Sequence, residues 1–214
     1  LSSEEIFELY DSYDIPVEES EDPIAHWKFD EGSGDIAYDS SGNDNDGTLY
    51  GNTEWADGIS GSALKFAGGS DYVEVSDPDG PTSNEFTISM WFIWDGLGTN
   101  ETQFLIGKEE EHYEIHTGTN NGIMFIPAGH PGTHLYVENV IHSGWNHVAV
   151  TYDGEVSRIY FDGVLVSSRD ITSSHNLSDD DNPFLFGKRD GHADATFDGI
   201  LDEVVIWEYS LSAT

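Results

Sequence analysis

The sequence predicts an all-β domain, a sandwich of two antiparallel sheets with a short N-terminal helix ahead of it. Three observations point there. Asp-Gly dipeptides recur at 46, 57, 79, 95, 153, 162, 190 and 198, with Asn-Gly at 121, and such pairs favour tight turns because Asp, Asn and Gly tolerate positive φ. The runs between them are short, rich in β-branched and aromatic residues, and several alternate. Helical periodicity is almost absent beyond the first ten residues. Strands that each bury one face must pack sheet on sheet.

Taken in order, Ser2-x-x-Glu5 has capping-box spacing ahead of Ile6, Phe7 and Leu9, which predicts a short helix. Asp11 to Asp22, acidic and holding Pro16, reads as a linker. Residues 1–22 are thus set apart from a domain over 23–214. Strands are expected over 24–29, 63–67 and 71–75. The run 86–94 alternates, with Phe86, Ile88, Met90, Phe92 and Trp94 on one face. Further strands are expected over 103–107, 112–116, 122–126, 134–138 and 145–152, the last with Val148, Val150 and Tyr152 on one side. Val156 to Phe161, Asp162-Gly163 and Val164 to Val166 form the clearest hairpin signal. Strands over 184–187 and 200–208 close the domain.

Charge restricts the partners. The chain has 214 residues with 7 Lys+Arg against 42 Asp+Glu, a formal net charge of −35. A basic patch for phosphates is therefore excluded, and with it nucleic-acid binding. No apolar run reaches the roughly 18 residues of a membrane helix. Cysteine is absent, which removes disulfides, thiolate metal sites and Cys nucleophiles. A charge this far from zero needs screening, so a high-salt or calcium-rich exterior is expected. A chain opening at Leu1 reads as a mature chain or an excised fragment.

Several segments, in order and spacing over about 24–209, resemble the laminin-G-like, concanavalin A-like jelly-roll domains repeated in large secreted and cell-surface proteins. They are His26-Trp27-Lys28-Phe29-Asp30-Glu31-Gly32-Ser33-Gly34, Asp39-Ser40-Ser41-Gly42, Asp46-Gly47-Thr48-Leu49, Gly61-Ser62-Ala63-Leu64-Lys65-Phe66 and Asp71-Tyr72-Val73-Glu74-Val75. They continue through Phe86 to Trp91, Trp145 to Gly154, Ile159 to Gly163 and Phe197 to Val204. The resemblance also implies that residues 1–10 are like the closing segment of such a module, and Ser210–Thr214 like its truncated start. Tandem repeats of one polypeptide are therefore expected.

Two candidate sites follow. Asp202 lies between Ile200 and Val204, and simple alternation puts it on their apolar face, where a carboxylate needs a partner. Cationic side chains are scarce, so a bound cation is the natural one. The resemblance implies a structural calcium joining the first strand region to the last. The expected ligands are Asp30 and Asp202, with Asp46, Gly47 and carbonyls of the 43–48 loop; the spacing is not that of an EF-hand. The second site is a ligand-binding face. His112, Glu114 and His116 share one strand face, and with Tyr136, Arg189 and Asp190 they could line a groove for a sugar. The pairs His112-x3-His116 and His130-x3-His134 are a poor zinc site, because strand positions four apart lie about 13 Å apart. His147 is expected to be a satisfied core histidine.

Catalytic signals are weak. Glycoside hydrolases on the resembled fold place Glu-x-Asp-x-Glu along a strand, and no such run exists here; no Gly-x-Ser-x-Gly elbow appears either. The expectation is therefore a non-catalytic extracellular binding or adhesion module, recognising a glycan or a surface protein and holding structural calcium. The alternatives are a polysaccharide-degrading hydrolase or lyase on the same fold, and a passive spacer repeat of a surface protein.

Overall fold

The structure is a computed structural model that describes residues 22–76, 85–96, 102–108, 113–127, 133–171, 182–189 and 196–211. The expected N-terminal helix, His112 and Asp190 lie outside the described residues.

Sixteen strands are described. The first eight are β1 (Ala25–Trp27), β2 (Ile36–Ala37), β3 (Gly47–Tyr50), β4 (Glu54–Asp57), β5 (Ser62–Ala67), β6 (Tyr72–Val75), β7 (Glu85–Trp94) and β8 (Phe104–Lys108). They are followed by β9 (Glu114–Gly118), β10 (Gly122–Ile126), β11 (Leu135–Val137), β12 (Asn146–Asp153), β13 (Val156–Phe161), β14 (Val164–Asp170), β15 (Phe184–Phe186) and β16 (Asp198–Trp207). The first sheet runs β14-β13-β12-β7-β16-β5-β4, with β1 also paired to β16. The second runs β11-β10-β9-β8-β15-β6-β3-β2. All pairings of these strands are antiparallel, so the expected two-sheet sandwich is what forms.

The core sits between the sheets and is strongly aromatic. Phe86, Ile88, Met90, Phe92 and Trp94 all point into it from β7, as their alternation predicts. Trp27 of the first sheet stacks on Phe184 of the second at 5.7 Å and meets Phe186 edge-on at 4.9 Å. Phe86 packs against Tyr113 and Phe125 across the same gap. Such pairs add about 0.5–1.5 kcal/mol each beyond their burial.

Turn chemistry holds at the hairpin: Asp162 (φ 47°) and Gly163 (φ 76°) both take the left-handed conformation between β13 and β14, as a two-residue loop of this hand requires. Two other Asp-Gly pairs do something else. Gly47 lies inside β3, where a Cβ would fall 2.6 Å from Val73 Cγ1. Gly199 lies inside β16, where a Cβ would fall 2.1 Å from the Ile93 carbonyl oxygen. These glycines permit close packing of neighbouring chains, which dipeptide composition does not distinguish from a turn. Strands β2, β3 and β4 were not expected for that reason; they are short and flanked by turn-forming residues.

The parity argument for Asp202 also changes. β16 carries a bulge: Asp202 pairs with Trp91 and Val205 with Ser89, and between them Glu203 has φ 48°. The extra residue flips the alternation. Val204 and Ile206 join the core, while Asp202 shares the opposite, outer face with Trp91. His147 is likewise on this outer face, half-buried against Trp91 at 4.8 Å, with Nε2 hydrogen-bonded to Ser89 Oγ at 2.8 Å. It is satisfied, but outside the core, because it pairs with Trp91 and not with a core-facing residue.

Candidate functional site

The turn between β4 and β5 covers Asp202. Asp202 is fully buried. Its Oδ2 accepts hydrogen bonds from the Ile59 amide at 2.8 Å and the Ser60 amide at 3.3 Å, and its Oδ1 accepts one from the Glu203 amide at 2.8 Å. Burial pushes the carboxyl up to about 7; the amides offset this only in part, and Glu203 beside it adds repulsion. Glu203 itself is drawn outward by the bulge to His26, Oε2 to Nε2 2.8 Å.

Asp30 reaches the same turn from its other end. Its Oδ1 accepts from the Ser62 amide at 3.0 Å, and a Cβ on Gly61 (φ 60°) would lie 1.8 Å from that oxygen. The turn is closed by the Gly58 amide on the Gly61 carbonyl at 3.1 Å. Where a Gly58 Cβ would sit, three oxygens converge: Asp202 Oδ2 at 2.5 Å and the Ser60 and Ser62 carbonyls at 2.7 Å each. Among the described residues no three His, Asp or Glu side chains gather as a metal cluster. The oxygens that converge there are one carboxylate and two main-chain carbonyls, with Asp30 at the Gly61–Ser62 end of the turn; carboxylate and carbonyl oxygens are hard donors of the type calcium takes.

Asp46 and Gly47 are elsewhere. Asp46 Oδ1 accepts from the Asp39 amide at 2.8 Å, and Gly47 is packed inside β3. The 39–46 loop is organised by Asp39, which sequence reading did not single out. Its carboxylate accepts from the amides of His26, Ser41 and Asn45 and from the Ser41 hydroxyl. Burial works to raise this carboxyl, but those donors outweigh it and hold it below the ordinary aspartate range. Trp27 Nε1 then donates to the Asn45 carbonyl at 2.7 Å, which ties the loop to the core.

The second candidate is the outer face of the second sheet. Strand register lines up Glu74, Leu185, Gly107, Glu114 and Ile126 as one row. The next row holds Phe104, His116, Met124 and Tyr136. Glu114 and His116 are almost wholly buried despite facing away from the core. Glu114 Oε2 lies 2.8 Å from His116 Nε2, and its Oε1 accepts from Arg189 Nε at 3.0 Å. Burial works to raise Glu114, but hydrogen bonds and charge from His116, then Arg189, outweigh it and hold the carboxyl below the glutamate range. Beside Arg189, Lys188 Nζ sits 4.5 Å over the Tyr72 ring, and Tyr72 stacks on Tyr50 with centroids 4.6 Å apart and planes 7° from parallel. Tyr50 is 40% exposed.

The fold thus brings Glu114, His116 and Arg189 into one hydrogen-bonded network. Tyr136 lies in the His116 row but is turned to other work. Its ring covers Gly118 and Gly122, and its hydroxyl meets Thr119 Oγ1 at 2.9 Å and the Thr119 carbonyl. Tyr50 and Tyr72 were not among the expected site residues. The signal available was alternation: Tyr72 and Glu74 share the face opposite Val73 and Val75.

Comparisons with known proteins agree with this architecture. The profile of the Concanavalin A-like lectin/glucanases superfamily matches residues 67–214. A search of curated protein sequences finds no match. Among solved structures, the chain resembles domain 4 of AbnA, a GH43 extracellular arabinanase from Geobacillus stearothermophilus, in complex with arabinotriose. That likeness has TM-score 0.68 and 22% identity over 89% of this chain and 94% of that one. It also resembles the binding domain of Paraclostridial Mosquitocidal Protein 1, with TM-score 0.72 and 15% identity over 90% of this chain. A third likeness is to the binding domain of botulinum neurotoxin DC in complex with rat synaptotagmin II, with TM-score 0.71 and 14% identity over 90% of this chain. The chain spans about half the length of these two toxin domains. At such identities the structural likenesses speak for the fold alone. The sequence profile covers more than half of the chain, the strands close into the jelly-roll sandwich, and the protein belongs to the concanavalin A-like lectin/glucanases superfamily.

Proposed function

We propose that the protein is a non-catalytic extracellular binding module that recognises a carbohydrate on the outer face of its second sheet, and that a structural calcium braces the opposite sheet. The observation that carries the reading is the union of Arg189, Glu114 and His116 in one buried polar network beside the stacked Tyr50 and Tyr72. Sugars are held by planar hydrogen-bonding groups and by aromatic rings that cover their apolar faces. A solved relative in fold, the arabinanase domain, was obtained with arabinotriose, and this supports a saccharide as the ligand class. Calcium would be held by Asp202, Asp30 and the Ser60 and Ser62 carbonyls; its contribution there is to neutralise Asp202 and fix the turn. A salty or calcium-rich exterior remains part of this reading, on the strength of the −35 charge.

Two features argue against the hydrolase alternative. Glycosidases need two carboxylates about 5–10 Å apart across the scissile bond. Glu74 and Glu114 lie in one row but three strand spacings apart, about 14 Å of backbone. The Glu114 carboxyl is also held below the ordinary range by His116 and Arg189, the opposite of a general acid. The Ser89–His147 pair is no better: burial drives His147 down to about 4, too weak a base for work near pH 7. Immobilised glycans test the proposal. The wild type should be retained, and Tyr50→Ala should cut retention several-fold while the melting temperature holds. Release of reducing ends, lost in Glu114→Gln, would replace this reading with hydrolysis. Absence of both retention and turnover would leave the spacer.

A further inference from the structure

The chain has 42 acidic side chains and 7 Lys+Arg. Two of the cations, Lys188 and Arg189, adjoin each other on the outer face of the second sheet. Lys188 has no acid partner among the described residues; its ammonium lies over Tyr72. Arg189 uses only Nε, on Glu114 Oε1, and both Nη nitrogens have no partner among the described residues. Its side chain is 34% exposed. A third, independent observation lies beneath. His116 is 4% exposed and its Nδ1 has no hydrogen-bond partner among the described residues, although Nε2 is held by Glu114. A buried ring nitrogen left unpaired costs about 1–3 kcal/mol, which a ligand's polar atom would recover.

We infer that this face takes an acidic saccharide, whose anionic group is gripped by the free edge of Arg189 and by Lys188 while the sugar ring lies toward Tyr72 and Tyr50. The inference rests on the carbohydrate reading above and narrows it to one ligand class. A guanidinium edge accepts a carboxylate or sulfate through two parallel N–H···O bonds. Glu114 does not compete, because its two oxygens are engaged by His116 and Arg189 Nε. Tyr72 carries the Lys188 charge on one face and Tyr50 on its neighbouring strand, so the aromatic platform begins where the cations end. The net charge of −35 repels a polyanion at long range. In 1 M salt that repulsion is screened over about 3 Å, and the contact pairs dominate.

The test is calorimetric binding in 1 M salt of a glucuronate-containing oligosaccharide, the same oligosaccharide with its carboxyls reduced to alcohols, a sulfated dextran and polyglutamate. The wild type should bind an acidic sugar at least tenfold more tightly than the carboxyl-reduced one. Arg189→Lys keeps the charge but loses the fork, and should weaken acidic-sugar binding about tenfold; Lys188→Gln, clear of the Glu114 network, should weaken it about threefold. A preference for sulfated dextran over glucuronate identifies the anion and supports the inference. Equal binding of the reduced and acidic sugars, unchanged by either variant, overturns it while leaving the carbohydrate reading intact. Polyglutamate binding as well as the sugars do overturns the saccharide part. No binding to any sugar, with the fold verified by melting, overturns both.

Discussion

Asp202 and Glu114 are both carboxylates withdrawn from water on the outer face of a sheet, yet they are held in opposite ways. Glu114 has the Arg189 guanidinium and the His116 ring on it, and its carboxyl is held below the ordinary range. Asp202 has three main-chain amides and no cationic side chain among the described residues, and its carboxyl rises to about 7. Amide dipoles carry fractional charge, so they satisfy the oxygens without neutralising the ion. A buried carboxylate with full counter-charge is a finished structure; one with dipoles alone has room for a cation. On the proposed function, the difference separates a saccharide-facing network from a calcium-holding turn.

Four measurements would sharpen or break that contrast. The largest effect is expected at Gly58. A methyl there enters the space bounded by Asp202 Oδ2 and the Ser60 and Ser62 carbonyls. Gly58→Ala should cost about 3 kcal/mol, at the upper end of overpacking, which is about 6–12 °C in melting temperature for a chain this long. Unchanged melting would mean that the cradle is soft. Next is Asp202→Asn. With calcium at a hundred times its Kd, the wild type should gain about 2.7 kcal/mol over chelator and the variant almost nothing. Equal gains, or none in either protein, would remove the metal role.

Glu114→Gln should follow, at about 2 kcal/mol near pH 7, because Arg189 and His116 lose a charged partner. The sign with pH is fixed by the lowered carboxyl. Its contribution is present above the ordinary glutamate value, 4.5, and is lost as pH falls through the lower folded value. The gap between wild type and variant in chemical denaturation should therefore close in acid; a gap that widens there contradicts the assignment. The smallest effect is at His142, whose Nε2 lies 2.9 Å from Asp162 at the exposed β13–β14 turn. The hydrogen bond to Asp162 is the main cause raising His142 above 6.5. Its stabilisation is complete below 6.5 and lost as pH rises through the raised value. As an exposed pair it should amount to less than about 1 kcal/mol, read as the difference between wild type and Asp162→Asn at pH 5.5 and pH 8.5.

Much of the sandwich was readable before any coordinates, but the two sites were readable to different depths. Glu114 and His116 share a strand face because alternation is intrinsic to a strand, and no event in β9 disturbs it. That Arg189 closes on Glu114 depends on β15 lying beside β8, a pairing between chain segments some 75 residues apart that local pattern does not encode. Asp202 was singled out as a carboxylate among apolar residues, yet its face was misjudged. The bulge at Glu203 reverses the alternation, and a positive φ at a glutamate leaves no compositional trace. Asp46 was grouped with Asp30 because the 43–47 loop offers hard oxygens and the resemblance implies a calcium near the first strand; in the structure Asp46 holds the Asp39 amide and Asp30 the Ser62 amide. Asp39 went unnoticed because a single Asp ahead of Ser-Ser-Gly looks like any turn residue.

By itself the sequence determined the layer architecture, the core-facing residues of β7 and β12, the β13–β14 hairpin and the excess of negative charge. Each of these follows from period-two alternation, turn residues or plain counting, which act between near neighbours. Only the tertiary structure decided which glycines make turns and which admit a neighbouring strand, which face Asp202 occupies, and that Lys188 and Arg189 come to rest beside a tyrosine pair. Those outcomes depend on contacts between strands distant in the chain, where the free energy of a side chain is set by what the fold brings against it.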